Sequence, residues 1–105
     1  MHAFAALAEP QRRRILDRLR EGECAVGDLV DLLRISQPGV SKHLRVLREA
    51  RLVAVRADGK RRVYRLAAEP LSEVDEWLAR YRPFWTERLD ALDEFLTDQA
   101  AGESK

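Results

Sequence analysis

Ser36-Gln-Pro-Gly-Val-Ser-Lys-His-Leu-Arg-Val-Leu-Arg-Glu-Ala50 is the stretch on which the reading of this chain turns. Ser36 is placed to cap a helix, and Pro38 falls in the first turn, where a missing N–H costs little. Val40, Leu44 and Leu47 recur at helical spacing and mark a buried face. Gln37, Ser41, Lys42, Arg45 and Arg48 fall elsewhere on the cylinder, most of them toward its amino half. Polar and basic side chains so placed suit a helix whose amino end enters the major groove of duplex DNA.

Working outward, residues 26–33 predict a shorter helix burying Val26, Leu29, Val30 and Leu33. Arg34-Ile35-Ser36 is then a three-residue corner, so residues 26–50 read as a helix-turn-helix. Before it, residues 3–8 predict a short helix. Pro10 opens a second helix, through about Arg20, with Ile15, Leu16 and Leu19 inward and Gly22 beyond its end.

After Ala50 the period changes to alternation. Leu52–Arg56 predicts a strand, Ala57-Asp58-Gly59-Lys60 a turn of type I′ centred on Asp-Gly, and Arg61–Leu66 the return strand. Tyr64 and Leu66 share the face that packs inward, while Lys60, Arg61 and Arg62 crowd the tip. Residues 52–66 therefore read as a basic wing, and since a lone hairpin is marginal in water it must lie against the helices.

From about Pro70 to Asp98 runs an apolar helical stripe: Leu71, Val74, Leu78, Tyr81, Trp85, Leu89, Leu92 and Leu96, with Trp77, Phe84 and Phe95 along one margin. Pro83 sits inside it and predicts a kink or a break. Residues 99–105 are expected to form a disordered tail. The architecture expected is a single α+β domain over residues 1–98, mainly helical with a small β-hairpin: a winged helix-turn-helix of order α-α-α-α-β-β-α ending in a long kinked or broken helix.

The net charge of +1 conceals a division. Residues 1–65 hold fifteen Lys/Arg against eight Asp/Glu (+7), and residues 66–105 hold four against ten (−6). Residues 34–65 alone carry ten basic side chains against Glu49 and Asp58, which points to one face for a polyanion. Ser36, Gln37, Pro38, Ser41, Lys42, His43 and Arg45 on the helix, with Arg56, Lys60, Arg61 and Arg62 on the wing, are the expected DNA-binding set. Gln and Arg can pair bidentately with bases, Lys and Ser more often hold phosphate, and His43 makes a structural hydrogen bond or a phosphate contact.

The aromatic terminal stripe is wider than one small domain needs to cover itself, which points to a partner surface. Operators are usually read by two-fold dimers whose recognition helices lie one turn of DNA apart, roughly 34 Å. Phe4 and Leu7, together with Leu71, Val74, Leu78, Tyr81, Trp85, Leu89, Leu92 and Leu96, are the expected homodimer contacts, from helices at residues 1–8 and 70–98. The acidic residues of the last segment lie mostly opposite this stripe and read as a solvated face. No Gly-rich phosphate loop, nucleophile elbow or serine with a nearby His/Asp grouping is present, so no enzyme is expected. Nothing resembles a signal peptide or a membrane span, and a cytoplasmic protein is expected. Cys24 is the only cysteine, which excludes an intrachain disulfide and a multi-cysteine metal cluster; it reads as a buried small hydrophobe, with a thiol switch between subunits as the alternative.

Ala5-x-Leu7-Ala8-Glu9-Pro10-x-Arg12-Arg13-x-Ile15-Leu16, Val26-Gly27-Asp28-Leu29, Ser36 to Val53 and Gly59-Lys60-Arg61-Arg62-x-Tyr64-x-Leu66 closely resemble the ArsR family of bacterial winged helix-turn-helix repressors over about residues 4–66. The terminal segment, with Trp77-Leu78 and Phe84-Trp85, resembles a metal-independent branch that includes SdpR-like autorepressors. The resemblance implies a homodimer that binds a (pseudo)palindromic operator and blocks transcription. Metal sensors of the family use a Cys-x-Cys pair, or Asp and His residues on the terminal helices. This chain has neither pair nor any histidine after His43, so no metal and no cofactor is expected. Two other readings stay open: a protein-interaction module docking through the aromatic terminal helix, and a repressor sensing a small molecule in a pocket near that helix.

Overall fold

The structure, a computed structural model, describes the backbone of residues 2–103 and the side chains of residues 2–97. Its elements run α1 (His2–Leu7), α2 (Pro10–Leu19), β1 (Cys24–Ala25), α3 (Val26–Leu33), α4 (Gln37–Glu49), β2 (Val53–Asp58), β3 (Arg61–Leu66), α5 (Leu71–Ala79) and α6 (Arg82–Glu103). They fall into two compact units, one up to Val74 and one from Asp75 on.

In the first unit α2, α3, α4 and the sheet enclose one apolar core. Ile15, Leu29, Val40, Leu44, Leu47 and Leu52 are its fully enclosed side chains, and no polar or charged residue is buried among the described residues. Glu9 begins α2, its side chain accepting the Gln11 N–H at 3.3 Å, with Pro10 in the first position where no donor is needed. Leu29 and Leu33 are buried as expected. Val26 and Val30 are only half-buried, because they flank the row that packs inward.

The wing has a partner that the sequence did not reveal. β1 pairs antiparallel with β3 (Cys24 with Tyr64, Ala25 with Val63), making a three-stranded sheet of order β1-β3-β2 where a two-stranded hairpin was expected. Two residues carry no period, so such a strand leaves no pattern to read. β2 also runs on through Asp58, which pairs with Arg61, leaving Gly59-Lys60 as a two-residue loop. Only Gly59 there has a positive φ (63°), so the turn is not the expected type I′ centred on Asp-Gly. Glycine at the first central position is the type II′ requirement.

Two non-glycine residues sit in left-handed backbone, Arg34 (φ 56°) after α3 and Arg51 (φ 62°) after α4. At the second site the Arg51 N–H donates to the Arg48 carbonyl (2.9 Å) and the Leu52 N–H to the Leu47 carbonyl (2.9 Å). Leu47 and Leu52, which bracket that reversal, are both fully buried. This paired closure with an apolar contact is the Schellman arrangement, usually built on glycine.

In the terminal segment the chain breaks rather than kinks. Pro83 cannot donate to the Ala79 carbonyl, α5 stops at Ala79, and α6 restarts with Pro83 in its first turn. Around the break Trp77 and Tyr81 pack with ring centroids 4.9 Å apart and Arg82 pairs with Asp75. The helix continues to Glu103, past the expected end at Asp98, because Gln99, Ala100 and Ala101 are good helix formers and offer no stop. Of the expected disordered tail, residues 104 and 105 lie outside the described residues.

Candidate nucleic-acid interface

The corner between α3 and α4 is fixed by main-chain bonds. The Arg34 N–H donates to the Val30 carbonyl (2.8 Å) while its left-handed backbone reverses the chain. From α2, Arg14 Nη2 donates to the Leu32 carbonyl at 3.1 Å, satisfying an orphan acceptor of the last turn of α3. Ser36 then caps α4, its Oγ accepting the Gly39 N–H at 3.2 Å. A Cβ on Gly39 would lie 3.3 Å from Ser36 Oγ and 3.4 Å from Ile35 Cδ1, so this cap needs a glycine or a small shift.

With Val40, Leu44 and Leu47 locked inward, the outer rows of α4 are presented to solvent. Gln37, Ser41, Arg45 and Arg48, spaced four, four and three apart, form one row. That row makes one wall of an open groove of about 540 Å³. Lys60, Arg61, Arg62 and Tyr64 of the wing line it from the other side, together with residues 25–27 at the start of α3. Five cations line the groove (Arg45, Arg48, Lys60, Arg61, Arg62), and among the described residues no carboxylate does.

The structure thus gathers Gln37, Ser41, Arg45, Lys60, Arg61 and Arg62 of the expected set and leaves others outside. Ser36, Pro38 and Lys42 are exposed on α4 but do not line the groove. His43 is half-buried on the opposite flank of the buried row, its Nδ1 3.5 Å from Arg12 Nη1 of α2. Arg56 is engaged within the protein: Nη2 lies 2.8 Å and Nε 3.0 Å from Oε2 of Glu23. It does not line the groove. Strand alternation is the cause, since Arg56 pairs with Val63 and so emerges on the sheet face opposite Arg62 and Tyr64. Arg48, named with the outward side chains of α4 but left out of the expected DNA-binding set, lines the groove as well. It lies toward the end of α4, away from the amino half, and enters the site only because the return strand comes back beside it.

Cys24 is buried in β1, paired with Tyr64 of β3, and its thiol is pushed above its ordinary value by burial, with Arg18 opposing the shift and Asp28 adding to it. Among the described residues no group of three or more His, Cys, Asp or Glu side chains could hold a metal ion. No helix of the described residues is long and apolar enough to cross a membrane.

Residues 9–55 match the family described as bacterial regulatory protein, arsR family. The chain is 42% identical over 97 residues to the HTH-type transcriptional regulator Rv2034 of Mycobacterium tuberculosis, covering 92% of this chain and 88% of that protein. It is 31% identical over 80 residues to the transcriptional repressor SdpR of Bacillus subtilis, covering 76% and 89%. Among solved structures, the ArsR family transcriptional regulator RHA00566 superposes with a TM-score of 0.71 at 30% identity, over 81% of this chain and 93% of that one. A possible transcriptional regulator for arsenical resistance does so with a TM-score of 0.69 at 39% identity, over 88% and 93%.

Proposed function

This chain belongs to the ArsR family of bacterial regulatory proteins and is a DNA-binding transcriptional regulator, and from that premise we propose that it is a homodimeric repressor whose groove between α4 and the wing grips a (pseudo)palindromic operator. The observation that carries this reading is the row of five cations with no carboxylate along one groove. Gln37, Ser41 and Arg45 reach base edges from the amino half of α4, while Lys60, Arg61 and Arg62 hold phosphates beside them, with Arg48 joining them. Ser36 and Pro38 border that footprint at the entrance of α4, and Lys42 borders it further along the helix. The transcriptional regulators it resembles are not enzymes, and the absence of a Cys-x-Cys pair and of any histidine after His43 supports a metal-independent member.

The exposed terminal helices support the dimer. Trp77, Tyr81, Phe84, Trp85, Leu89, Leu92, Phe95 and Leu96 are each between 41% and 67% exposed in the single chain, large apolar side chains of the kind that mark an interaction surface. A second copy, packing Tyr81, Trp85, Leu89, Leu92 and Leu96 against their mates with Phe4, Leu7, Leu71, Val74 and Leu78 at the margins, removes it from water.

The test is a titration of operator DNA, recovered by sequencing the genomic fragments the protein retains, across a series of salt concentrations. A dimer neutralising several phosphates per half-site loses about 10³ to 10⁵ in affinity between about 50 and 200 mM salt. Sedimentation of the free protein should give twice the monomer mass of 12.1 kDa. A flat salt response, or a stable monomer at operator-binding concentrations, overturns the reading.

A further inference from the structure

We infer that Glu23 and Arg56 are positioning residues of the wing: their ion pair ties β2 to the chain entering β1 across β3, and so aims Lys60, Arg61 and Arg62 at DNA without Arg56 touching it. The inference rests on the groove between α4 and the wing being the DNA surface.

The sheet order β1-β3-β2 makes β2 an edge strand, hydrogen-bonded within the sheet only to β3, with its first residue Val53 anchored in the core. Arg56 is the residue of β2 opposite Val63, and Ala25 is the residue of β1 opposite Val63 from the other side. Glu23 stands immediately before β1. The contact between Arg56 and Glu23 therefore passes over β3 at Val63, which is only 6% exposed although it lies on the face away from α4. Both Nε and Nη2 of Arg56 meet one carboxylate oxygen, a geometry that fixes the guanidinium plane more tightly than a single contact. Beyond it lies the Gly59-Lys60 loop with its cations on either side, and among the described residues this is the one ion pair that the wing makes. A two-residue loop on an edge hairpin twists readily, and a cross-sheet tie limits that motion.

Simple electrostatics and the brace predict opposite signs for Glu23. If Arg56 were a phosphate contact muted by its neighbour, Glu23→Ala would tighten binding by removing an anion, and Arg56→Ala would lower the slope of log K against log salt by about 0.9 for each phosphate it had neutralised. If the pair is a brace, Glu23→Ala and Arg56→Ala each weaken operator binding roughly two- to tenfold, the scale of an exposed ion pair removed from both subunits. The salt slope then stays at the wild-type value, because no released counterion belonged to Arg56. The double variant is no weaker than either single one, and the exchange Glu23→Arg with Arg56→Glu restores affinity by rebuilding the pair in reverse. Both side chains are about half exposed, so the variants keep the core intact, and a thermal melt of each checks it. The measurement is the salt-dependent titration of operator DNA with wild-type protein and these four variants. Tighter or unchanged binding by Glu23→Ala, or a reduced slope in Arg56→Ala, overturns the brace while a steep wild-type slope keeps the DNA surface. A flat wild-type slope defeats the DNA surface itself.

Discussion

Arg12 Nε donates to the carbonyl of Ala6 at 2.7 Å, so the last turn of α1 is closed by a side chain from the next helix. Arg12 Nη2 also donates to the Ala5 carbonyl (3.2 Å), and Arg13 Nη1 to the Leu7 carbonyl (2.6 Å). A six-residue helix has few internal hydrogen bonds and leaves its final carbonyls orphaned. Cations at the carboxyl end satisfy those acceptors and complement the helix dipole. Through its 3.5 Å approach to His43, Arg12 also links α1 to the recognition helix.

Arg12→Ala should therefore destabilise the protein by about 1–2 kcal/mol, the scale of charge-assisted hydrogen bonds discounted for partial exposure. The melting temperature should fall by several degrees, at roughly 4–8 °C per kcal/mol for a domain of this size. Arg12→Lys should recover only part of the loss, because an ammonium cannot serve two carbonyls and approach a ring nitrogen with the fixed fork of a guanidinium. Melting followed by circular dichroism decides the matter, and an Arg12→Ala variant that melts with wild type refutes this role.

These arginines mark where the sequence could be read and where it could not. The helix-turn-helix was legible because Val40, Leu44 and Leu47 set the buried face and Ser36 and Pro38 set the start. Charge was legible only as a total. Arg12, Arg13, Arg14 and Arg18 on α2 all donate to main-chain carbonyls, so part of the basic excess of residues 1–65 serves helix ends and turns rather than a polyanion. The pairing of Arg56 was illegible for a related reason: its partner Glu23 adjoins a two-residue strand with no detectable period. Arg48 entered the groove through a tertiary return that no local pattern encodes.

Arg51→Gly should stabilise the fold. Arg51 holds φ at 62° to close α4, a conformation that costs an ordinary L-residue about 1–2 kcal/mol, against about 0.5–1 kcal/mol of extra chain entropy lost by glycine. The net gain expected is about 0.5–1 kcal/mol, seen as a higher urea midpoint at unchanged m-value. Arg51→Ala removes the same guanidinium but keeps the strain, and should show no such gain. Equal midpoints for the two variants would mean that the backbone conformation is not the cause.

Burial raises the Cys24 thiol above its ordinary value of 9.0, so the folded protein keeps this proton to higher pH than the unfolded chain does. Between the two values the folded state binds more protons, and stability must fall as pH rises. The contribution is complete below the unfolded value and is lost as pH climbs from about 9 toward the raised one. Urea midpoints compared for wild type and Cys24→Ala from neutral pH upward should therefore converge above about pH 9, after correcting for the cavity the variant leaves. Parallel pH curves would mean that the thiol titrates alike in both states.

Arg45 of α4 and Arg62 of the wing line the same groove, and they should fail differently when removed. Arg45 stands on the recognition helix, where a guanidinium can meet two acceptors of one guanine edge, so Arg45→Ala should cost about 1–3 kcal/mol at the operator and little on unrelated duplex. Arg62 stands beside the hairpin tip, where the proposed function has it neutralise phosphate irrespective of sequence. Arg62→Ala should weaken binding to operator and unrelated duplex by similar factors and lower the salt slope by about 0.9 for each phosphate left without its cation. Titrating both variants against both duplexes at several salt concentrations separates base reading from phosphate holding. If Arg45→Ala instead lowers affinity equally on both duplexes, α4 supplies charge rather than sequence recognition at that position, and the search for base contacts moves to Gln37 and Ser41.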